Sequence, residues 1–215
     1  MLEALKNKIT HGDSFEILKQ LPDKCIDLVL TDPPYRDEKD NAPTQDMRKN
    51  SMIKSFGNRP SKEFFDEIFR VSKNQIIFGA NNFELPPYKG FIVWNKGIAF
   101  DFTMSMAELA FINEGLGTIS KIYNVRASGQ GDRIHPTQKP LELFERILRD
   151  YTSKLDPAGG GLLIADFFSG SGTTAVACHN LGLDFIAVEK DEEYFKSSSE
   201  RLKNAQAQMK LFTEF

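Results

Sequence analysis

A buried strand that runs into two consecutive prolines constrains this chain most. The apolar run of residues 26–30 is followed directly by Thr31-Asp32-Pro33-Pro34-Tyr35. Such a run is typical of a strand in an open α/β sheet, which binds its ligands at the carboxyl edge. Each proline lacks an N–H and restricts the backbone, so Asp32 and the nearby carbonyls become rigid acceptors. The turn therefore suits a substrate that donates two hydrogens from one NH2 group, with Tyr35 as a surface for stacking a base. An ordinary strand-ending turn is the alternative interpretation.

A second strand and turn lie in the last third of the chain. Residues 162–166 predict a strand, residues 167–172 (Phe-Phe-Ser-Gly-Ser-Gly) a turn, and residues 173–181 a helix. Glycines let a ligand approach the backbone, and the start of a helix offers free N–H groups. The next strand ends in Glu189, whose carboxylate can accept both hydroxyls of a ribose. These features predict a nucleoside cofactor.

The glycine spacing leaves a competing interpretation open. Gly170-x-Gly172-x-x-Ala175 also fits the dinucleotide fingerprint, so an NAD-dependent oxidoreductase is an alternative. No second mononucleotide-binding half follows, since the chain runs into one more helix.

Composition narrows the classes further. A chain of 215 residues with 40% hydrophobic content predicts one domain over residues 1–215. The net charge of −3 lacks the overall basic signature of nucleic-acid binders, so any such contact must be local. Two cysteines without CxxC spacing indicate a reducing compartment, no disulfide and no metal site. No signal peptide or membrane span is expected, and we predict a cytoplasmic protein.

Positive charge is concentrated in two segments. Residues 36–60 are polar without apolar periodicity, which predicts a mobile basic loop or, alternatively, a solvated one. Residues 113–133 are glycine-rich and irregular. The candidate phosphate contacts in these two segments are Arg48, Lys49, Lys54, Arg59, Lys121, Arg126 and Arg133.

Alternating apolar patterns predict an α/β fold. Helices are expected over residues 15–21, after a cap at Asp13 or Ser14, and over residues 62–71 and 141–155. Seven strands are expected near Ile9, Leu28, Ile77, Val93, Leu109, Ile164 and Ile186.

Taken together, the two turns resemble a known family. Asp-Pro-Pro-Tyr at 32–35 and Phe-Ser-Gly-Ser-Gly-Thr-Thr at 168–174 are similar to the two signatures of S-adenosylmethionine-dependent amino-methyltransferases of DNA. The catalytic turn precedes the cofactor turn, as in the circularly permuted β class. Further similar segments spread the resemblance over nearly the whole chain: residues 12–13, 21–23, 79–83 and 135–140. It implies a Rossmann-like, seven-stranded mixed sheet with helices on both faces. Phe167 stands where the family commonly has proline, and residues 113–133 are short for its target-recognition region.

The resemblance also implies roles for individual residues. Asp32 and the Pro33 carbonyl would accept the hydrogens of the target amino group, with Pro34 and Tyr35 completing the catalytic turn. Phe168, Gly170, Ser171, Gly172 and Thr173 would wrap the methionine part of the cofactor, Glu189 its ribose, Asp13 its adenine, and Gln138 and Lys139 its carboxylate.

The implied reaction is site-specific methylation of a flipped base in bacterial or phage DNA, of the kind found in restriction-modification systems. Because Asp heads the motif, adenine N6 is the first choice and cytosine N4 the alternative. A more distant alternative is a DNA-binding accessory protein without catalytic activity.

The tail over residues 206–215 carries a separate hypothesis. Gln208, Met209, Lys210, Leu211 and Phe212 resemble the peptide by which bacterial replication proteins bind the sliding clamp. The alternative is that the tail folds back on the last helix. The short recognition region would also suit a homodimer.

Overall fold

The computed structural model describes residues 1–36, 58–98, 105–127, 134–135, 137–159 and 161–213. The strands in these residues are β1 (Lys8–His11), β2 (Ile26–Thr31), β3 (Ser72–Phe78), β4 (Phe91–Asn95), β5 (Ala107–Ile112), β6 (Lys121–Asn124), β7 (Leu163–Asp166) and β8 (Asp184–Glu189). The helices are α1 (Leu2–Leu5), α2 (Ser14–Leu18), α3 (Lys62–Val71), α4 (Leu141–Leu155), α5 (Thr173–Asn180) and α6 (Glu192–Thr213). Short 3₁₀ turns lie at Ala80–Asn82 and Glu114–Leu116.

One sheet contains all of these strands, in the order β1-β8-β7-β2-β3-β5-β4-β6. β5 pairs antiparallel with both of its neighbours, whereas the other pairings are parallel. The carboxyl ends of seven strands therefore lie at one edge of the sheet, together with the beginning of β5.

The strand order reverses between β7 and β2. From β7 the chain crosses to β8, whereas from β2 it crosses in the opposite direction to β3. The two strands pair directly, with Leu28 opposite Ile164 and Val29 opposite Ala165. Open α/β sheets bind ligands at such a switch point, outside the carboxyl ends of the strands. Both turns singled out in the sequence follow these two strands.

Helices cover both faces of the sheet. On one face, α4, α5 and α6 pack on alternate strand residues such as Ile76 and Phe78. On the other face, α2 and α3 pack on the intervening ones, including Ile77. Because both faces are buried, β2 is apolar almost throughout, as is usual in parallel sheets.

The predicted fold class is confirmed, with one strand more than expected. β6 lies within residues 113–133, which were expected to be irregular. It is an edge strand in which Tyr123 alone is buried, so it leaves no apolar periodicity to detect. The helices over residues 62–71 and 141–155 have the predicted bounds, whereas α2 ends at Leu18 rather than at residue 21. Pro22 has no N–H to donate to the Leu18 carbonyl, and the Arg70 guanidinium donates to this carbonyl and to that of Leu21 instead.

Within the described part of the chain, no helix has the length and apolar character needed to cross a membrane.

Candidate active site

The proline turn after β2 brings three polar side chains into contact. The Tyr35 hydroxyl donates to Oδ1 of Asp32 at 2.5 Å and lies 3.0 Å from Oε2 of Glu108. Asp32 follows β2, whereas Glu108 is the second residue of β5. Since β5 is antiparallel, its beginning meets the carboxyl end of β2 at the same edge of the sheet.

A buried lysine completes this group. The Lys139 ammonium bonds Oδ2 of Asp32 and lies 3.0 Å from Oε2 of Glu108. Its Nζ also lies 5.6, 5.5 and 5.8 Å from the ring centroids of Tyr35, Phe78 and Trp94. Lys139 was expected beside a cofactor carboxylate, whereas its observed contacts are with the two acids at the proline turn.

The charges in this group are balanced. Burial alone would raise the pKa of Glu108, but the ammonium groups of Lys139 and Lys96 outweigh it and hold that pKa below its ordinary value. Burial would likewise lower the pKa of Lys139, but the carboxylates of Asp32 and Glu108 outweigh it and raise that pKa. Burial, with the two neighbouring carboxylates, raises the pKa of Tyr35 well above its ordinary range. At neutral pH Glu108 and Lys139 therefore stay charged and the Tyr35 phenol stays protonated.

Gly79 allows the Tyr35 ring to lie where it does. Gly79 follows β3 with φ of +71°, and a Cβ built on it would lie 2.2 Å from Cε1 of Tyr35. Any other residue would strain the backbone and displace the ring. On its far side the ring meets Phe83 edge to face, with 6.2 Å between centroids.

Asp166 connects the glycine turn to the proline turn. Its carboxylate is fully buried at the end of β7 and accepts from Thr31 at 2.7 Å, Thr174 at 2.5 Å and the backbone N–H of Phe168 at 3.1 Å. Burial raises the pKa of Asp166 to about 6, although these hydrogen bonds oppose the shift. Thr31 immediately precedes Asp32, so one side chain connects the two turns.

The glycine turn leaves polar groups facing the switch point. Glu189 at the end of β8 accepts from the backbone N–H groups of Gly170 at 2.7 Å and Asp191 at 2.8 Å. Burial raises the pKa of the Glu189 carboxyl group. The buried hydroxyl of Ser169 has no hydrogen-bond partner among the described residues. A buried polar atom of this kind is free to pair with a ligand.

Residues before α4 close one side of the glycine turn. Thr173 donates to the carbonyl of Lys139 at 3.3 Å, and Gln138 accepts from the N–H of Ile134 at 3.1 Å. His135 contacts Tyr194 with 4.3 Å between ring centroids. Burial and the nearby charge of Lys139 lower the pKa of His135 to about 4, which keeps the imidazole neutral at neutral pH.

Asp13 has a structural role in addition to its predicted one. Oδ1 caps α2 by accepting from the N–H groups of Phe15 at 2.9 Å and Glu16 at 3.4 Å, and Oδ2 pairs with Lys190 at 2.9 Å. The predicted cap is confirmed. The carboxylate has these partners even without a cofactor adenine.

The predicted phosphate contacts have different outcomes. Arg59 and Arg126 are exposed, whereas Lys121 forms an ion pair of 2.7 Å with Asp150. Lys121 therefore has an intramolecular partner. The remaining candidates lie outside the described residues: Arg48, Lys49, Lys54 and Arg133.

Two further predictions concern the tail and metals. The backbone of residues 208–212 continues α6, which ends at Thr213. Over the ranges that the structure describes, no cluster of three or more His, Cys, Asp or Glu side chains could hold a metal ion.

Sequence reasoning missed two residues at the site. Glu108 was missed because it lies near the beginning of its strand. The beginning of a strand lies at the ligand-binding edge only when the strand is antiparallel to the others, and the sequence does not reveal this direction. Arg201 lies on α6, where no local pattern marks it. Its guanidinium donates to the carbonyl of Ser171 at 2.9 Å and the hydroxyl of Thr173 at 3.0 Å, supporting the glycine turn from behind.

A switch point flanked by an acid-proline turn and a glycine turn defines the methyltransferase class of α/β proteins. Residues 43–200 match the sequence profile of the N6/N4 DNA methylase family, described as DNA methylase. Because this match covers well over half of the chain, the protein belongs to that family and is a DNA methyltransferase. The matched span contains the glycine turn and begins after Tyr35.

Curated relatives are similar over most of the chain. The Type II methyltransferase M.HpaI of Haemophilus parainfluenzae is 25% identical over an alignment of 244 positions. This alignment covers 92% of this chain and 74% of the relative. The Type II methyltransferase M.BglII of Bacillus subtilis is 24% identical over 245 residues, covering 87% of this chain and 66% of the relative.

Solved structures confirm the fold. A complex of M1.HpyAVI with SAM has a TM-score of 0.58 at 24% identity and covers 91% of this chain and 98% of that one. TTHA0409 from Thermus thermophilus, in complex with S-adenosyl-L-methionine, has a TM-score of 0.55 at 19% identity, over 92% and 95% of the two chains. The cytosine-N4-specific PvuII DNA methyltransferase has a TM-score of 0.56 at 16% identity, over 92% and 90%.

Proposed function

We propose that the protein transfers a methyl group from S-adenosylmethionine to the N6 amino group of a flipped adenine at a specific site in DNA. One observation carries this proposal: the acid turn and the glycine turn end two adjacent parallel strands, β2 and β7, at the switch point. Donor and acceptor would therefore meet at one place.

The glycine turn has the chemistry that a nucleoside cofactor needs. The Glu189 carboxylate would accept the ribose hydroxyls, and the unpaired hydroxyl of Ser169 adds a polar group beside it. Support for this cofactor also comes from two structural neighbours that are complexes with it. Among the proposed contacts, the methionine part would lie against Phe168, Gly170, Ser171, Gly172 and Thr173, the adenine against Asp13, and the carboxylate near the backbone segment around Gln138 and Lys139, whose ammonium stays with Asp32 and Glu108.

The proline turn would activate the amino group. An exocyclic nitrogen is a poor nucleophile because its lone pair is delocalised into the ring. If Asp32 and the Pro33 carbonyl each accept one hydrogen, the lone pair is directed out of the ring plane. Positioning of this kind contributes about 7–11 kcal/mol when the reacting atoms are aligned.

S-adenosylmethionine supplies an electrophilic methyl group on a sulfonium, and the sulfur keeps the bonding electron pair when that methyl group moves to nitrogen. The methylated nitrogen would then lose one of its protons, which passes to solvent directly or by way of the Asp32 carboxylate. Direct transfer of this kind needs no cysteine nucleophile; Cys178 is buried, and Cys25 directly precedes β2, at the end opposite to the proline turn.

The base must leave the duplex to reach this edge of the sheet, at a cost of a few kcal/mol. The ring of Tyr35 would then stack on it. Arg59 and Arg126 at the surface would contact phosphates, together with Arg48, Lys49, Lys54 and Arg133 outside the described residues.

Cytosine N4 is the alternative target, because it presents an amino group of the same geometry. Asp at the head of the turn favours adenine. Family membership disfavours an NAD-dependent oxidoreductase, and an idle accessory protein would have no use for the polar groups at the glycine turn. The sliding-clamp partner and the homodimer stay predictions.

Nucleoside mass spectrometry of unmethylated DNA, incubated with the protein and S-adenosylmethionine, tests the proposal. N6-methyladenine is expected from the wild type, and Asp32→Asn should lower its rate of formation about 10³-fold, since a positioned acceptor is replaced in part by a donor. Asp66→Asn is the matched control, because Asp66 is exposed and pairs only with Lys62 among the described residues. If N4-methylcytosine forms instead, the target base is cytosine rather than adenine. If no methylated base forms on any DNA, the proposed function is wrong.

A further inference from the structure

Two carboxylates at the proline turn share the same donors. Oε2 of Glu108 lies 3.0 Å from Nζ of Lys139 and 3.0 Å from the Tyr35 hydroxyl, and both of these groups also bond Asp32. Oε1 of Glu108 pairs with Lys96 at 2.6 Å. Both side-chain donors that occupy the Asp32 carboxylate in this structure are therefore already within reach of Glu108.

Substrate binding requires Asp32 to change its partners. Among the described residues, each of its oxygens already accepts from one internal donor, Oδ1 from Tyr35 and Oδ2 from Lys139. An incoming amino group gives one hydrogen to Asp32 and competes with the donor on the oxygen that it approaches. Tyr35 is half-buried and contacts the base in the proposed function. The Lys139 side chain is only 7% exposed, and a buried ammonium without a carboxylate is strongly unfavourable.

We propose that Glu108 is a positioning residue that retains the Lys139 ammonium while Asp32 exchanges this internal donor for the amino group of the target base. The inference rests on the proposed function, because it concerns the same site. No covalent step is involved: Lys139 shifts from a shared to a single carboxylate, and Asp32 faces the neutral amino group with its full negative charge.

The surroundings of Glu108 suit this role. Its side chain is 17% exposed, and Lys96, itself 12% exposed, holds it from the other side. The two ammonium groups keep the pKa of Glu108 below its ordinary value despite burial, so the residue is charged when Lys139 needs a partner. Two carboxylates and two ammonium groups leave the cluster neutral before the base enters.

Glu108→Gln is the direct test. The amide keeps the shape and one acceptor but removes the charge, so Asp32 becomes the only carboxylate on Lys139 among the described residues. The base then competes against a tighter ion pair, and kcat/KM for DNA should fall about 10- to 100-fold. The Kd for S-adenosylmethionine, measured by calorimetry, should not change. Glu114→Gln, at an exposed glutamate paired with Lys89, is the control and should behave as the wild type.

A double variant separates positioning from mere structural support. Adding Lys139→Met to Glu108→Gln removes the ammonium that blocks Asp32, so kcat/KM for DNA should recover at saturating S-adenosylmethionine. If Glu108 only supported the fold, the second substitution would deepen the loss.

The outcomes distinguish a failure of the proposed role of Glu108 from a failure of the proposed function. Wild-type kcat/KM in Glu108→Gln, or a weakened Kd for S-adenosylmethionine that accounts for the loss, overturns the role of Glu108 alone. A wild-type protein that methylates no DNA overturns the proposed function instead. Thermal unfolding checks the fold. Should Glu108→Gln not fold, Glu108→Asp retains the charge with a shorter reach, and unchanged kcat/KM in that variant would equally overturn the role.

Discussion

The two turns at the switch point are built differently. The glycine turn after β7 is made of backbone, with carbonyls and N–H groups held by Glu189, Arg201 and Asp166. The proline turn after β2 is made of side chains, whose charges are paired with one another. A backbone site is formed before its ligand arrives, whereas a side-chain site must exchange partners. Cofactor binding should therefore depend on shape and target binding on charge.

Asp166 belongs to both turns, and changing it has the largest expected effect. Its pKa of about 6 in the folded protein lies above the ordinary value of 3.8. The stability that its bound proton contributes is fully present below pH 3.8 and is lost as pH rises through 6, a cost of roughly 3 kcal/mol.

In Asp166→Asn this titration is absent. The free energy of unfolding of the variant relative to the wild type should therefore rise by roughly 3 kcal/mol between about pH 4 and about pH 7. Urea unfolding at a series of pH values measures it. Parallel curves for the two proteins would show that Asp166 does not titrate in this range.

Gly172→Ala should disrupt the glycine turn and leave the proline turn intact. Gly172 has φ of +73°, and a Cβ on it would lie 3.0 Å from Cδ1 of Ile9 and 3.1 Å from Cβ of Ser198. Left-handed strain and crowding together cost about 2 kcal/mol, so the Kd for S-adenosylmethionine should weaken roughly 10- to 30-fold.

Gly182→Ala is its matched control at the opposite end of α5. Its φ is +67°, but a Cβ there meets nothing within 4 Å. The control should lose stability while its cofactor Kd, followed by calorimetry, stays at the wild-type value. Equal cofactor Kd values in both variants would contradict a turn that depends on close packing.

Gly79→Ala should impair the side-chain site, with a smaller effect. The added methyl group would overlap the Tyr35 ring, which can move away because it is a side chain. We expect kcat/KM for DNA to fall roughly 10-fold, which corresponds to about 1.4 kcal/mol, with cofactor affinity unchanged.

Gly159→Ala also places an alanine at positive φ, +73°, without a neighbour within 4 Å, and serves as the control. Methylation rates at varied DNA concentration decide the result. A loss of cofactor binding in Gly79→Ala would show that the two turns are not independent.

The site was only partly predictable, for physical reasons that differ between residues. Asp32 and Gly172 lie in short motifs whose chemistry is local, so the residue types alone indicated them. Glu108 acquires its position from the direction of β5, and Lys139 acquires its partners from the fold of the segment before α4. Neither depends on nearby sequence.

What the sequence by itself determined was the α/β class, the bounds of α3 and α4, a helix cap at Asp13 or Ser14 and the two turns. Apolar periodicity and turn chemistry depend on residues that are close together in the sequence, so they can be recognised without the tertiary structure. The tertiary structure alone decided that β6 joins the sheet, that β5 runs antiparallel, and that Lys139 lies between Asp32 and Glu108. The contact between Lys139 and Asp32 joins residues 107 positions apart, and the free energy that selects it comes from burial and charge pairing in the assembled core.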